Sequence, residues 1–239
     1  MRLNRGIYWL SRHWLAVLLF LWGLFNLLPW LAPVFMKMGW ESGGRSIYTL
    51  YTLLCHQLPQ RSFFLFGPQS MYELNQVQAA WQATDNPLIL RQFVGDPDMG
   101  WKVAWSDRMV YLYTGMLLWA AVLGVWRRRP PRLPLWGLVL LALPLAIDGG
   151  SHTVSDFVGG IGGGFRYDNA WLATLTNHAF ASDFYGGDRL GSFNSWMRLI
   201  SGLLFSLGAT WFVLPSLDGT FTSTRRTIEG KFDRAGLPL

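Results

Sequence analysis

The residues able to do chemistry in this chain are few: one cysteine, four histidines, and arginines and aspartates set beside apolar runs. Cys55 and His56 are adjacent, Gln57 follows, and Arg61 stands a short way on. A thiolate with an imidazole base is the nucleophilic reading of such a pair. Neighbours on a helix point about 100° apart, however, so His56 is poorly placed to activate Cys55. A distant base, His152 or His178, would have to be supplied by the fold. A metal reading recruits Cys55, His56 and His152, with Asp148, a mixture of S, N and O donors that suits zinc or copper. No local pair among them has ligand spacing. A lone cysteine excludes an intramolecular disulfide and any multi-cysteine zinc or iron–sulfur site within the chain. The glycine run at 159–164 lacks the Lys-Ser/Thr of a phosphate loop and reads as a flexible turn. These residues identify no particular cofactor.

The elements that must position these residues follow from composition. Hydrophobic residues make up 51% of the chain and charged residues 14%, with 14 Trp. A soluble domain carries roughly 25% charged residues, so the bilayer is the better solvent for this chain. The net charge of +6 does not point to nucleic acid, because the basic residues flank apolar runs instead of forming a stripe with interleaved aromatics. A hydrocarbon core of about 30 Å requires roughly 20 apolar helical residues. Four segments meet that need: 15–36, 109–126, 133–147 and 199–217. The first is too long for a signal-peptide core and no cleavage site follows it. Pro29 and Pro33 should kink it or end it early. The third is short and stops at Asp148. The fourth carries Ser201, Gly202, Ser206, Gly208 and Ala209, a small-residue face that expects a neighbouring helix.

Charge sets the orientation. Arg2, Arg5, Arg12, Arg127, Arg128, Arg129, Arg132, Arg225, Arg226, Lys231 and Arg234 fall on one side, with only Asp218, Glu229 and Asp233 as acids. Under the positive-inside rule that side is cytoplasmic, and an even number of spans is required to gather the clusters there. The expected fold is therefore all-α and polytopic, in a cell (inner) membrane, with a cytoplasmic N-terminus at 1–14, one membrane domain at 15–217 and a cytoplasmic tail at 218–239. Two long extracytoplasmic loops, 37–108 and 148–198, complete it. Residues 46–67, broken by Pro59 and stopped at Gly67-Pro68, read as an interfacial or re-entrant helix, and 68–102 as an exposed, turn-rich excursion. Trp9, Trp14, Trp40, Trp101, Trp105, Trp126 and Trp136 read as interface belts. His13 reads as an interface residue, and His178 has no assigned role.

On this topology Cys55, His56, Gln57, Arg61, Asp107, Arg108, Asp148 and Arg198 all approach the outer boundary. Ionisable groups at span ends are costly unless paired or hydrated, so Arg108, Asp148 and Arg198 are expected to form a polar cluster. Pairing that orients helices is the commoner reason for such residues. Candidates for catalysis are Cys55, His56, Asp148 and Arg198; for ligand or cofactor contact, Gln57, Arg61 and Arg108; for metal, Cys55, His56 and His152.

Four ordered blocks carry a resemblance: Cys55-His56-Gln57 through Arg61-Ser62, Ser106-Asp107-Arg108, Asp148-Gly149, and Asn194 through Arg198. Together they are similar to the uncharacterised prokaryotic membrane family known as domain of unknown function 2085, over about residues 46–215. The resemblance implies a Cys-x-Arg-Cys box around Arg108. Here Trp105 or Ser106 and Met109 stand in place of its cysteines, so cysteine-based metal or redox chemistry is not carried over. Three functions are expected in turn. The first is a non-enzymatic accessory or structural subunit of a larger membrane complex, such as an electron-transfer assembly, with the lipid bilayer and other subunits or itself as partners and no nucleic acid. The second is a membrane enzyme or metal-dependent redox protein with an outer Cys/His/Asp/Arg site. The third is a carrier of small or anionic solutes using Arg61, Arg108 and Arg198.

Overall fold

The structure is a computed structural model that describes residues 2–125 and 131–238. Trp126 and the Arg127, Arg128, Arg129 cluster therefore lie outside the described residues. In chain order the elements are α1 (Arg2–Lys37), α2 (Glu41–Tyr51), β1 (Ser62–Leu65), α3 (Leu74–Ala80), α4 (Pro87–Leu90), β2 (Gly95–Asp96) and β3 (Gly100–Ser106). They continue with α5 (Asp107–Val125), α6 (Leu135–Gly159), α7 (Phe165–Asp168), α8 (Ala170–Leu175), α9 (Ser182–Tyr185) and α10 (Phe193–Arg234).

Three helices, α1, α6 and α10, are long and apolar enough to cross a membrane. Together with α5 they form a bundle in which chain direction alternates. Tyr111 and Gly115 of α5 lie beside Gly202 and Ser206 of α10, so these two helices run parallel. Leu15 of α1 meets Gly124 while Asn26 accepts from Thr114, so α1 runs opposite to α5. The small-residue face of α10 finds its neighbours within the chain. Gly202 faces Tyr111 and Leu112 of α5, and Gly208 faces Leu138 and Leu141 of α6.

The helices outrun the expected spans. At 1.5 Å per residue, α10, with its 42 residues, is about 63 Å long, twice the hydrocarbon thickness. Its extension pairs with the start of α1. Tyr8 donates to Glu229 at 3.3 Å, Arg5 donates to the Pro238 carbonyl at 3.0 Å, and Trp14 stacks on Phe221. The two chain ends thus meet at one end of the bundle. Nor do Pro29 and Pro33 end α1, which continues to Lys37. A proline at 29 has no N–H for the Phe25 carbonyl, and the Tyr51 hydroxyl donates to that oxygen at 2.7 Å. The stranded acceptor becomes a tie between α1 and α2.

Three expectations for the segments outside the bundle are corrected. The fold is not all-α, since β1, β3 and β2 form an antiparallel sheet in that order, with Ser62 opposite Ser106 and Phe64 opposite Lys102. Residues 46–67 are not one helix: α2 stops at Tyr51 and the chain re-forms as β1, which pairs with β3. The 68–102 segment is packed, burying Tyr72, Leu74, Val77, Leu90, Phe93 and Met99 with Leu58, Phe64 and Ile161. The helix that carries the third apolar run continues past 147, α6 running unbroken to Gly159. Of the tryptophans, Trp9, Trp40 and Trp136 are exposed, but Trp105 is fully buried among Phe25, Tyr51 and Tyr113.

Candidate functional site

The extension of α6 past Asp148 places Asp148, His152 and Asp156 one helical turn apart on a single face, where i and i+4 positions coincide. All three turn toward the end of the bundle opposite the chain termini. The start of α5 supplies Asp107 and Arg108, and the first turns of α10 supply Asn194 and Arg198. Two further groups arrive from irregular chain. Asp188 comes from the segment before α10, and Arg166 from α7. A tight reversal returns Arg166 to α6: Gly160 adopts φ +76°, and Gly164 lies so close to Ser155 that no Cβ would fit. Ser155 Oγ then accepts from the Arg166 backbone N–H at 2.9 Å.

Four arginines and four aspartates meet here in two chains of ion pairs. In the first, Arg61 donates to both oxygens of Asp156, at 2.9 and 3.1 Å, and through Nε to Asp188 at 2.7 Å. Arg198 donates to the other oxygen of Asp188 at 2.6 Å, to the Asp188 carbonyl at 2.7 Å and to Asp107 at 2.7 Å. In the second, Asp148 accepts from Arg108 at 2.7 Å and from Arg166 at 2.8 Å. Arg166 also donates to Asn194 Oδ1 at 3.0 Å, and Asn194 returns a bond to the Arg166 carbonyl at 2.6 Å. Burial alone would raise the Asp188 carboxyl, but Arg61 and Arg198 overcome it and hold the group well below the usual carboxylate range. Burial likewise works against the Arg61 charge, and Asp188 and Asp156 hold it above its ordinary value.

Every aspartate of the two chains has an arginine partner, while several donors have no acceptor. Arg108 Nε, Arg166 Nε and His152 Nδ1 are buried without a hydrogen-bond partner. Nη2 of Arg166 lies 3.3 Å from His152 Nε2. A guanidinium can only donate, so Nε2 accepts and the imidazole proton sits on the unpartnered Nδ1. Asn169 Oδ1 and Gln60 Oε1 are buried acceptors without a partner, but neither residue lines the cavity described below. Arg108 and His152 both line a cavity of about 470 Å³, whose wall also includes Arg61, Arg198, Asp107, Cys55 and His56.

The structure thus brings Cys55, His56, Gln57, Arg61, Arg108, His152 and Arg198 to one cavity, with Asp148 directly behind Arg108 and His152. Their roles differ. Sγ of Cys55 is buried and held in place, accepting from the backbone N–H of Gln57 and of Ser106 at 3.3 Å each and donating to Ser106 Oγ at 3.4 Å. Gln57 takes a left-handed φ of 53°, its amide donates to the Tyr48 carbonyl at 2.8 Å, and its own carbonyl receives the buried Lys102 ammonium at 2.7 Å. Both residues anchor α2 to β3. No contact joins Cys55 to His152 or His178 among the described residues, and His178 is an exposed loop residue. Nor is any group of three or more His, Cys, Asp or Glu disposed to hold a metal among the described residues. Sequence reasoning missed Asp156, Arg166 and Asp188. The signal for Asp156 was present, as the four-residue repeat of Asp148, His152 and Asp156. Nothing in the local pattern marks Arg166 or Asp188.

No family model matches the chain. It is 27% identical over 153 residues to an uncharacterised protein of Methanocaldococcus jannaschii, covering 61% of this chain and 76% of that protein. No solved structure matches.

Proposed function

We propose that this chain is a four-span integral membrane protein that binds a small oxyanion, or a group carrying one, in the cavity at the outer end of its bundle. The observation that carries the reading is the donor-rich wall of the cavity: Arg61, Arg108, Arg198 and His152 line it, the Asp107 and Asp156 carboxylates are engaged by arginines while Asp85 accepts from Gln78, and the unpartnered capacity of Arg108 and His152 consists of buried donors. Buried donors without acceptors cost about 1–3 kcal/mol each, and a ligand supplying oxygen acceptors relieves that cost. Topology supports the outer placement. With α5 as the fourth span beside α1, α6 and α10, the two chain ends fall on one side, and the basic residues of both ends with them, which makes that side cytoplasmic. The convergence of Cys-His-Gln, Asp-Arg, Asp-Gly and Asn-x-x-x-Arg blocks on one site supports kinship with the uncharacterised family named above.

Binding is favoured over catalysis because the Cys55 thiol is held by two backbone N–H groups and, among the described residues, no His, Asp or Glu side chain hydrogen-bonds to it. The small-residue face of α10, one of three motives for reading the chain as an accessory subunit beside its aromatic surface and the absence of a catalytic constellation, is occupied by α5 and α6. The test is thermal unfolding of the full chain in mild detergent with inorganic phosphate or short-chain phosphate esters added. The midpoint should rise, and Arg108→Gln should abolish the rise. A wild-type midpoint indifferent to phosphate and to phosphate esters overturns the reading.

A further inference from the structure

Resting on that reading, we infer that the group the cavity takes is the phosphate of an anionic membrane lipid, with the acyl chains lying in the furrow between α5 and α6. The first observation is the furrow itself. Both α5 and α6 pack along α10, and among the described residues their backbones make few close approaches to one another. Arg108 to Asp148, at 2.7 Å, ties their outer ends together. Below that tie both helices carry exposed apolar side chains, Leu118 and Val122 on α5 and Leu140, Leu143 and Ile147 on α6.

The second observation is how the cavity is divided. Its floor is polar, formed by Arg108, His152, Arg61 and Arg198, while Met109, Phe157 and Ile161 line its apolar part. Phe157 is 91% exposed, and on the same helix Ile147, Val154 and Val158 are exposed at 62%, 55% and 77%. That much apolar surface on an uninterrupted helix suits contact with lipid, so the cavity opens where headgroup gives way to acyl chain. A free anion would use the floor and gain nothing from the rim. An amphiphile uses both.

The third observation concerns Gly149. A Cβ there would stand 3.2 Å from Arg108 Nη1, so the guanidinium lies against the bare backbone of α6. Arg108 reaches Asp148 with Nη2 while Nη1 lies beside Gly149, and the residue lines the cavity with Nε itself buried. A guanidinium placed so is suited to phosphate oxygens, which accept in pairs.

The experiment uses the full chain, delipidated in mild detergent. It is titrated separately with dioleoylphosphatidylglycerol, dioleoylphosphatidylcholine and inorganic phosphate, and read by native mass spectrometry and by the thermal midpoint. The expected result is one phosphatidylglycerol retained per chain, at concentrations at least tenfold below those needed for phosphatidylcholine or inorganic phosphate. Arg108→Gln should weaken that retention at least tenfold, and Arg108→Lys, which keeps the ion pair to Asp148, should weaken it less. Phe157→Ser, at an exposed position that leaves packing intact, should weaken the lipid and not inorganic phosphate. Equal affinity for inorganic phosphate and the lipid, or indifference to Phe157→Ser, overturns the lipid assignment and leaves the oxyanion site standing. Lipid retention unchanged by both Arg108 variants overturns it too, because the lipid is then bound elsewhere on the bundle. Failure of every phosphate compound to bind overturns both readings.

Discussion

Replacing Arg198 with methionine isolates the energetics of the ion-pair chains. The side chain is 2% exposed and makes three bonds: to Asp107 at 2.7 Å, to the Asp188 carboxylate at 2.6 Å and to the Asp188 carbonyl at 2.7 Å. Methionine fills much of the volume, so the loss is electrostatic. Asp188 keeps Arg61 at 2.7 Å, whereas Asp107, with no exposed surface, keeps only the Arg108 backbone N–H. Leaving one buried charge uncompensated costs about 3–5 kcal/mol. For a chain of this size that lowers the thermal midpoint by roughly 6–20 °C, at about 2–4 °C per kcal/mol. Tryptophan fluorescence during detergent melting reads it directly. Asp107→Asn in the same chain removes the stranded charge and keeps Oδ1 for the Arg108 N–H. The double variant should therefore recover about 1–3 kcal/mol relative to Arg198→Met alone, a coupling of the size expected for residues in one network. A double variant as unstable as Arg198→Met, or more so, refutes the argument that a stranded Asp107 charge is the damage.

Two further outcomes follow from packing and from burial. A Cβ on Gly115 would run into Ser206 Oγ across the contact between α5 and α10, so Gly115→Ala should cost about 1–3 kcal/mol by overpacking, and Ser206→Ala in the same chain should recover part of it; equal melting of the single and double variants would show that the two helices do not meet there. Lys102 is fully buried, its ammonium donating to the carbonyls of Gln57 and Arg91 at 2.7 Å, and burial pulls it from 10.5 down to about 7. Between those values the unfolded chain holds the extra proton, so the Lys102 contribution makes stability rise with pH from about 7 to 10.5. The slope approaches about 1.4 kcal/mol per pH unit. Lys102→Met should flatten that part of the pH–stability curve, and an unchanged slope would show that the amine stays protonated in the fold.

The membrane character was legible because it rests on averages. Mean hydropathy over long windows survives local exceptions, and α1, α6 and α10 are found at the positions where the apolar runs lie. Boundaries were less legible, for a specific reason. A span read from hydropathy ends at its first charge, because a lone charge in an apolar setting is expensive. That rule placed the end of the third span before Asp148. The helix itself does not stop there: Asp148 is not alone, Arg108 and Arg166 both reach it, and α6 continues for another eleven residues, to Gly159. The prolines of α1 misled in the same way, since the cost of Pro29 depends on whether the Phe25 carbonyl finds another donor, and Tyr51 lies 26 positions away in sequence. The small sheet escaped because β3 is seven residues long and leads directly into α5, so its Trp101, Val103 and Trp105 read as the approach to a span.

The site was half legible for a related cause. Arg61, Arg108, Asp148 and Arg198 could be named from their places at the edges of apolar runs, where an unpaired charge would be anomalous. Their partners Asp188 and Arg166 lie in glycine-rich chain with no periodicity, where a charge is ordinary. Yet the partners determine what the cluster can do. Arg61, Arg108 and Arg198 alone would suggest a strongly cationic pocket. With Asp107, Asp148, Asp156 and Asp188 in place, these three and Arg166 are balanced in charge. The cavity's selectivity then comes from the donors left over on Arg108 and His152. On the proposed reading these oriented donors act beside a balanced ion-pair set and the Asp85 carboxylate, which also lines the cavity, so the preference among ligands should follow the placement of their oxygen atoms.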